Sequence, residues 1–207
     1  MQDQELEVKY LVSDLAKLEQ RLKTLGALRE SARTHEVNLR FDTPDGALEK
    51  GKQVLRLRQD QAIHLTYKGP SSSQQGVRVR TEIEFSVDDF EKARRFLEVL
   101  GYQVALMYEK YRTTYSLDGV EILLDELPFG AFVEIEGSDP QVIRAVNDRL
   151  GLDWERRAPD SYIVLFEALK ARLDLPFRDL SFENFVNLKV TPADLNLRPA
   201  DLPSPAL

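Results

Sequence analysis

The sequence predicts an α+β fold in which eight antiparallel strands close into a barrel with helices packed outside. Three observations predict it. Apolar and polar residues alternate with period 2 in eight short segments, a strand–cap–helix unit recurs three times, and glycine-bearing turns separate the segments. The strands are expected at 5–12, 36–42, 53–59, 62–68, 77–86, 107–116, 119–126 and 131–137. Asp45-Gly46, Gly69-Pro70 with the Ser-Gln run to Gly76, and Asp118-Gly119 supply turns between them.

The recurring unit begins with a Glu-x-Glu strand. Glu5-Leu6-Glu7 leads to Ser13-Asp14 and then Leu15, Leu18, Leu22, Leu25 and Gly26; Glu82-Ile83-Glu84 leads to Asp88-Asp89 and then Phe90, Ala93, Leu97, Leu100 and Gly101. Glu134-Ile135-Glu136 leads to Ser138-Asp139-Pro140 and then Ile143, Val146, Leu150 and Gly151. An aspartate or serine side chain can accept the free amides of a first helical turn, the i, i+3, i+7 spacing puts the apolar residues on one helix face, and glycine ends the helix. The intervals between copies are unequal, which fits one domain with internal pseudo-symmetry better than a solenoid. A last helix is expected from about Tyr162 to Leu173, with Tyr162, Leu165, Phe166 and Leu169 on one face. Residues 1–174 read as one domain. Residues 175–207 hold five of the ten prolines and read as an extension, docked through Phe177, Phe182 and Phe185 or loose.

Composition narrows the chemistry. The 207 residues carry 28 Lys and Arg against 35 Asp and Glu, a net charge of −7, so an extended nucleic-acid surface is not expected. There is no cysteine, which removes disulfides, thiolate metal sites and cysteine nucleophiles, and His35 and His64 alone do not suggest a multi-histidine zinc site. The start, MQDQELEVKY, shows no secretory pattern, and no stretch is apolar enough for a membrane span, so a cytoplasmic location is the default expectation.

Alternation sorts the charges onto one face of each strand. Eight bases (Lys9, Arg56, Arg58, Lys68, Arg78, Arg80, Lys110 and Arg112) and seven acids (Glu5, Glu7, Glu82, Glu84, Asp125, Glu134 and Glu136) fall on it. Two arrangements satisfy the pattern. Either these charges face water around an ordinary core, or the apolar face turns outward under the helices and the charges line the lumen. Their grouping in like pairs at i, i+2 favours the lumen, because such pairs repel by roughly 3 kcal/mol at an effective dielectric of 20 and gain from a multivalent counter-ion. Paired bases suit a polyphosphate, and paired glutamates suit a hard divalent cation such as Mg²⁺ or Mn²⁺. An interior network of ion pairs with no ligand is the structural alternative.

Glu5-x-Glu7-x-Lys9, Leu-Arg56-Leu-Arg58, Leu-Thr-Tyr-Lys68-Gly-Pro, Arg80-Thr-Glu82-Ile-Glu84, Glu-Lys110-Tyr-Arg112, Leu-Asp125-Glu-Leu and Phe-Val-Glu134-Ile-Glu136-Gly together resemble the CYTH family, the triphosphate tunnel metalloenzymes. The resemblance runs in order through roughly residues 1–170. It implies an eight-stranded tunnel that binds a triphosphate-containing small molecule and one or two divalent metals, in a monomer or homodimer. By motif position, Glu5, Glu7, Glu134 and Glu136 are the metal candidates. Lys9, Arg56, Arg58, Lys68, Arg80, Lys110 and Arg112 form the expected triphosphate clamp, and Glu82, Glu84 and Asp125 complete metal coordination, support the clamp or position a water. His64 is expected to pair with a carboxylate, Tyr162 to pack with its hydroxyl bonded, and Trp154 to anchor the last helix.

The resemblance implies several activities. Val54 stands where thiamine triphosphatases of the family present an aromatic residue, which lowers thiamine triphosphate as a substrate. The double Arg56/Arg58 and the complete Glu134/Glu136 pair favour a metal-dependent triphosphatase acting on inorganic or nucleoside triphosphate over a class IV adenylate cyclase. A polyphosphate-binding module without turnover is the reading from outside enzymology.

Overall fold

The computed structural model describes residues 4–202, with side chains from Leu6 onward. Nine strands are described: β1 (Gln4–Val12), β2 (Leu28–Asp42), β3 (Val54–Gln59), β4 (Ile63–Lys68), β5 (Ser72–Gln74), β6 (Val77–Ser86), β7 (Gln103–Leu117), β8 (Val120–Leu127) and β9 (Gly130–Gly137). Eight of them form an antiparallel ring in the order β1-β9-β8-β7-β2-β3-β4-β6, which β6 closes by pairing with β1; the short β5 lies along β6. Six helices accompany the sheet: α1 (Leu15–Thr24), α2 (Ala47–Lys50), α3 (Phe90–Val99), α4 (Pro140–Leu150), α5 (Tyr162–Leu173) and α6 (Phe182–Phe185), with a 3₁₀ turn at Trp154–Arg156.

The three recurring units fold alike. Asp14, Asp89 and Asp139 accept the amides of Lys17, Lys92 and Gln141 at the starts of α1, α3 and α4. Gly26, Gly101 and Gly151 follow the helix ends with positive φ, a backbone that residues with a side chain adopt only with strain. Apolar side chains on the outer faces of β1, β8 and β9 pack under Leu18 and Leu22 of α1 and Ile143, Val146 and Leu150 of α4. Leu39, Phe41 and Leu57 pack under Leu97 of α3. The core therefore lies between the sheet and the helices, which leaves the charged face to the inside of the ring.

Helix α5 departs from the expected ring of outer helices. At one end of the ring the inward rows turn apolar, at Leu11 after Lys9 and at Phe132 before Glu134. Tyr162, Leu165, Phe166 and Leu169 pack there with Leu11, Leu106 and Phe132, so α5 closes that end. Each buried side chain of this kind contributes on the order of 1.5–3 kcal/mol. The tail joins the same cluster through Leu180 and Phe185, while Phe177 stacks 6.2 Å from Phe166. Leu180 also bonds through its backbone with Met107 and Glu109 of β7, and Ala200 donates to the carbonyl of Leu11. Phe182 packs separately, 5.2 Å from Tyr111. Pro203 and Pro205 lie outside the described residues.

Several elements exceed the expected bounds. β2 begins at Leu28 rather than 36, and β7 spans Gln103–Leu117 rather than 107–116. Residues 28–35 are polar apart from Leu28 and Ala32, so no alternation marks them; they form a strand because β7 pairs with them, with register slips at Arg29/Ser31 and Ser31/Thr34. The turn expected at Asp45-Gly46 opens directly into α2, whose Leu48 and Glu49 amides are accepted by Asp42. Trp154 sits between Arg144 of α4 and Arg157 in the core under α1 and α4, so it does not anchor α5.

Candidate functional site

Inside the ring is a cavity of about 850 Å³. Glu7 and Lys9 of β1, Arg56 and Arg58 of β3, Lys68 of β4, and Arg78, Arg80, Glu82 and Glu84 of β6 line it. Lys110 and Arg112 of β7 and Glu134 and Glu136 of β9 line it as well. Period 2 places these residues on one face of each strand, and closure of the ring turns that face inward. Glu5 lies opposite Arg80 in the backbone register; its side chain lies outside the described residues. Asp125 points the same way but is fully buried and does not line the cavity.

Three groups of charges form within the wall. Asp125 accepts from Lys110 at 2.9 Å, from Arg112 through both carboxylate oxygens at 2.6 Å, and from the hydroxyl of Tyr162 at 2.8 Å. Arg112 reaches on to Glu134 at 2.5 Å, and Lys9 pairs with Glu134 at 2.9 Å while covering the Tyr162 ring at 4.2 Å. On the β3–β4–β6 side, Glu84 accepts from Arg56 at 3.4 Å, Arg58 at 3.2 Å and Thr66 at 2.6 Å, and His64 lies 3.6 Å away. Lys68 pairs with Glu82 at 2.9 Å. These cross-strand pairs relieve part of the repulsion that the sequence pattern left for a ligand to relieve.

The third group is acidic. One carboxylate oxygen from each of Glu7, Glu134 and Glu136 lies within 4.8 Å of the others, where β1 and β9 pair Glu7 with Glu136 and Lys9 with Glu134. Arg78 lies 3.3 Å from Glu7, and Lys9 and Arg112 both pair with Glu134, so cations flank the three carboxylates. Hard oxygen donors gathered at this spacing fit Mg²⁺ or Mn²⁺.

Burial alone would raise the Glu36 and Glu134 carboxyls, but the cations around them outweigh it. Lys110 and Arg112, then Arg58 and Arg56, bring Glu36 from 4.5 down to about 2. Lys9, Arg112 and Lys110 hold Glu134 well below the ordinary carboxylate range. For Tyr162 burial comes first, and the charges of Asp125 and Glu134 add to it, so its hydroxyl stays protonated. Carboxyls with depressed folded-state pKa values stabilise the fold above their ordinary value, and that contribution disappears as pH falls through the folded value. The urea midpoint is therefore expected to drop as pH falls from 4.5 toward about 2, more shallowly in Glu36→Gln. Equal pH dependence in both proteins would contradict this origin of acid sensitivity.

Sequence reasoning missed the inward row of β2, namely Thr34, Glu36, Asn38 and Arg40. Glu36 lies 3.6 Å from Lys110 and 3.8 Å from Arg112, and Asn38 is fully buried with both amide atoms lacking a protein partner. Tyr108 of β7, which accepts from Arg56 at 3.3 Å, was missed as well. Alternation in 36–42 carried the signal for the β2 row, since Glu36, Asn38 and Arg40 interleave with Val37, Leu39 and Phe41.

Comparisons with known proteins agree with this architecture. A family model described as the CYTH domain matches residues 3–146. A candidate adenylate cyclase of Methanocaldococcus jannaschii is 29% identical over 136 residues, covering 65% of this chain and 77% of its own. A candidate adenylate cyclase from Vibrio parahaemolyticus has a structure matching with TM-score 0.72 at 22% identity, over 79% of this chain and 98% of the other. A Hippeastrum protein, named as a candidate adenylyl cyclase and described as having a dominant triphosphatase activity, matches with TM-score 0.59 at 20% identity, over 79% and 95%. These two structures share the fold. No helix among the described residues is long and apolar enough to cross a membrane.

Proposed function

This chain belongs to the CYTH domain family, and from that premise we propose that it hydrolyses inorganic triphosphate or a nucleoside triphosphate with Mg²⁺ or Mn²⁺. The observation that carries the reading is the gathering of the Glu7, Glu134 and Glu136 oxygens within 4.8 Å in a cavity whose remaining wall is dense with Lys and Arg. Glu7, Glu134 and Glu136 would hold the cation, which when bound polarises a phosphoryl oxygen and spreads its charge. Lys9, Arg56, Arg58, Lys68, Arg80, Lys110 and Arg112 grip the phosphate oxygens, and those already paired with carboxylates share their remaining N–H donors with the substrate. Asp125 positions Lys110 and Arg112 from behind the wall. A cavity carboxylate orients the attacking water and takes its proton as the terminal P–O–P bond breaks, leaving orthophosphate with pyrophosphate from inorganic triphosphate, or orthophosphate with a nucleoside diphosphate from a nucleoside triphosphate.

Adenylate cyclisation is the second reading, favoured by the name of the Methanocaldococcus jannaschii relative. The lumen argues against it. Among the described residues its aromatic side chains are Tyr162, whose ring is covered by Lys9, and Tyr108, whose hydroxyl is held by Arg56, so it offers little aromatic surface for adenine to stack on. The test is incubation of the pure protein with Mg²⁺ or Mn²⁺ and either tripolyphosphate or ATP. Orthophosphate release is expected. Cyclic AMP with pyrophosphate would replace this reading by cyclisation, and tight binding without turnover would replace it by a binding module.

A further inference from the structure

We propose that Arg40 is a further substrate-binding residue, taking a terminal phosphate of a polyphosphate on the wall across the cavity from Glu7, Glu134 and Glu136. The proposal rests on reading the cavity as a triphosphate site and adds a residue outside the motifs that identify that site.

Arg40 lines the cavity from β2 and lies opposite Arg56 in the β2–β3 register. Around the eight-strand ring, β2 stands four places from β1 in either direction, so Arg40 and Glu7 occupy facing walls. The pairing of β2 with β7 slips between Arg40 and Phe41, the kind of irregularity that re-aims a side chain. The backbone just beyond is held firmly: Phe41 is buried in the core under α3, and Asp42 accepts the first amides of α2.

The electrostatic setting points to an absent anion. Lys9, Arg56, Arg58, Lys68, Lys110 and Arg112 each have a carboxylate within ion-pair distance. Arg40 makes no hydrogen bond or ion pair among the described residues; Tyr108, Glu49 and Asp42 act on its charge favourably from beyond ion-pair distance, and Arg80 acts on it unfavourably. Burial also works against its charged form. A half-enclosed guanidinium with no ion pair of its own and other cations nearby gains when an anion arrives. The planar fork of arginine matches two oxygens of a phosphate, and a terminal phosphate offers the most unshared oxygens.

The experiment compares Arg40→Ala and Arg58→Ala in the full chain by calorimetric titration with tripolyphosphate and with pyrophosphate, without divalent metal, alongside thermal melts of the ligand-free proteins. For Arg40→Ala, tripolyphosphate is expected to bind about ten- to a hundredfold more weakly, the loss of one charge-assisted contact, while pyrophosphate changes by less than about threefold. Arg40→Lys is expected to fall between, because it keeps the charge and loses the fork. The melting temperature of ligand-free Arg40→Ala should stay the same or rise, since a half-buried charge without an ion pair has gone. A lower melting temperature with both ligands weakened alike would assign Arg40 a structural role and overturn the proposal. Wild-type tripolyphosphate binding in Arg40→Ala, with binding lost in Arg58→Ala, would overturn it while leaving the triphosphate site intact. Wild-type binding in both variants would remove the site reading itself.

Discussion

Replacing Glu7 with glutamine is expected to lower metal-dependent triphosphate turnover by on the order of a hundred- to a thousandfold while the protein stays folded. The substitution keeps the side chain's shape and removes one of three negative charges gathered within 4.8 Å. Its structural cost is small, because the partner it loses is Arg78, whose side chain is 24% exposed and can turn to water. Saturating Mn²⁺ should restore part of the activity if the defect lies in holding the cation, which a purely structural defect would not allow. Steady-state kinetics across metal concentrations, with circular dichroism to verify folding, decides the matter. Unchanged kcat at every metal concentration would remove Glu7 from the site.

Replacing Asp125 with asparagine is expected to produce the largest loss of stability. Asp125 is 0% exposed and holds two cations, Lys110 and Arg112, along with the Tyr162 hydroxyl. Removing its charge leaves both cations leaning on Glu36, at 3.6 and 3.8 Å, and on the Glu134 carboxylate that Lys9 already occupies. Breaking a buried pair from one side costs about 3–5 kcal/mol. For a chain of this length, each kcal/mol moves the melting temperature by roughly 2–4 °C. Urea unfolding monitored by circular dichroism measures the difference directly. A change below about 1 kcal/mol would show that Glu36 and Glu134 suffice to hold both cations.

The two substitutions separate two uses of carboxylate in one wall. Glu7 belongs to a group of like charges that repel one another and gain when a cation enters. Asp125 belongs to a group already neutralised from within. Along the chain both read as acids on the inward face of a strand, and their cross-strand neighbours distinguish them. Asp125 faces Phe132 on β9 and Arg112 on β7, whereas Glu7 faces Glu136 on β9.

Local chemistry made much of this protein readable from its residues. Asp14, Asp89 and Asp139 announce helix starts because capping is settled within one turn of chain. Arg56, Arg58, Lys110 and Arg112 announce a charged face because alternation is a property of a single strand, and the expected helix at Tyr162–Leu173 matches the described element. The tertiary structure decided what no local pattern contains. Closure of β6 onto β1 turned the charged face inward. Packing of α5 against Leu11 and Phe132 shut one end of the ring, although nothing near residue 162 names those partners. Register brought Glu36 to Lys110 and left Arg40 facing Arg56 with no carboxylate at ion-pair distance, because pairing between distant strands depends on how the whole ring staggers. Spacing along a strand is determined within a few residues, whereas the neighbour across the ladder is chosen by the rest of the molecule.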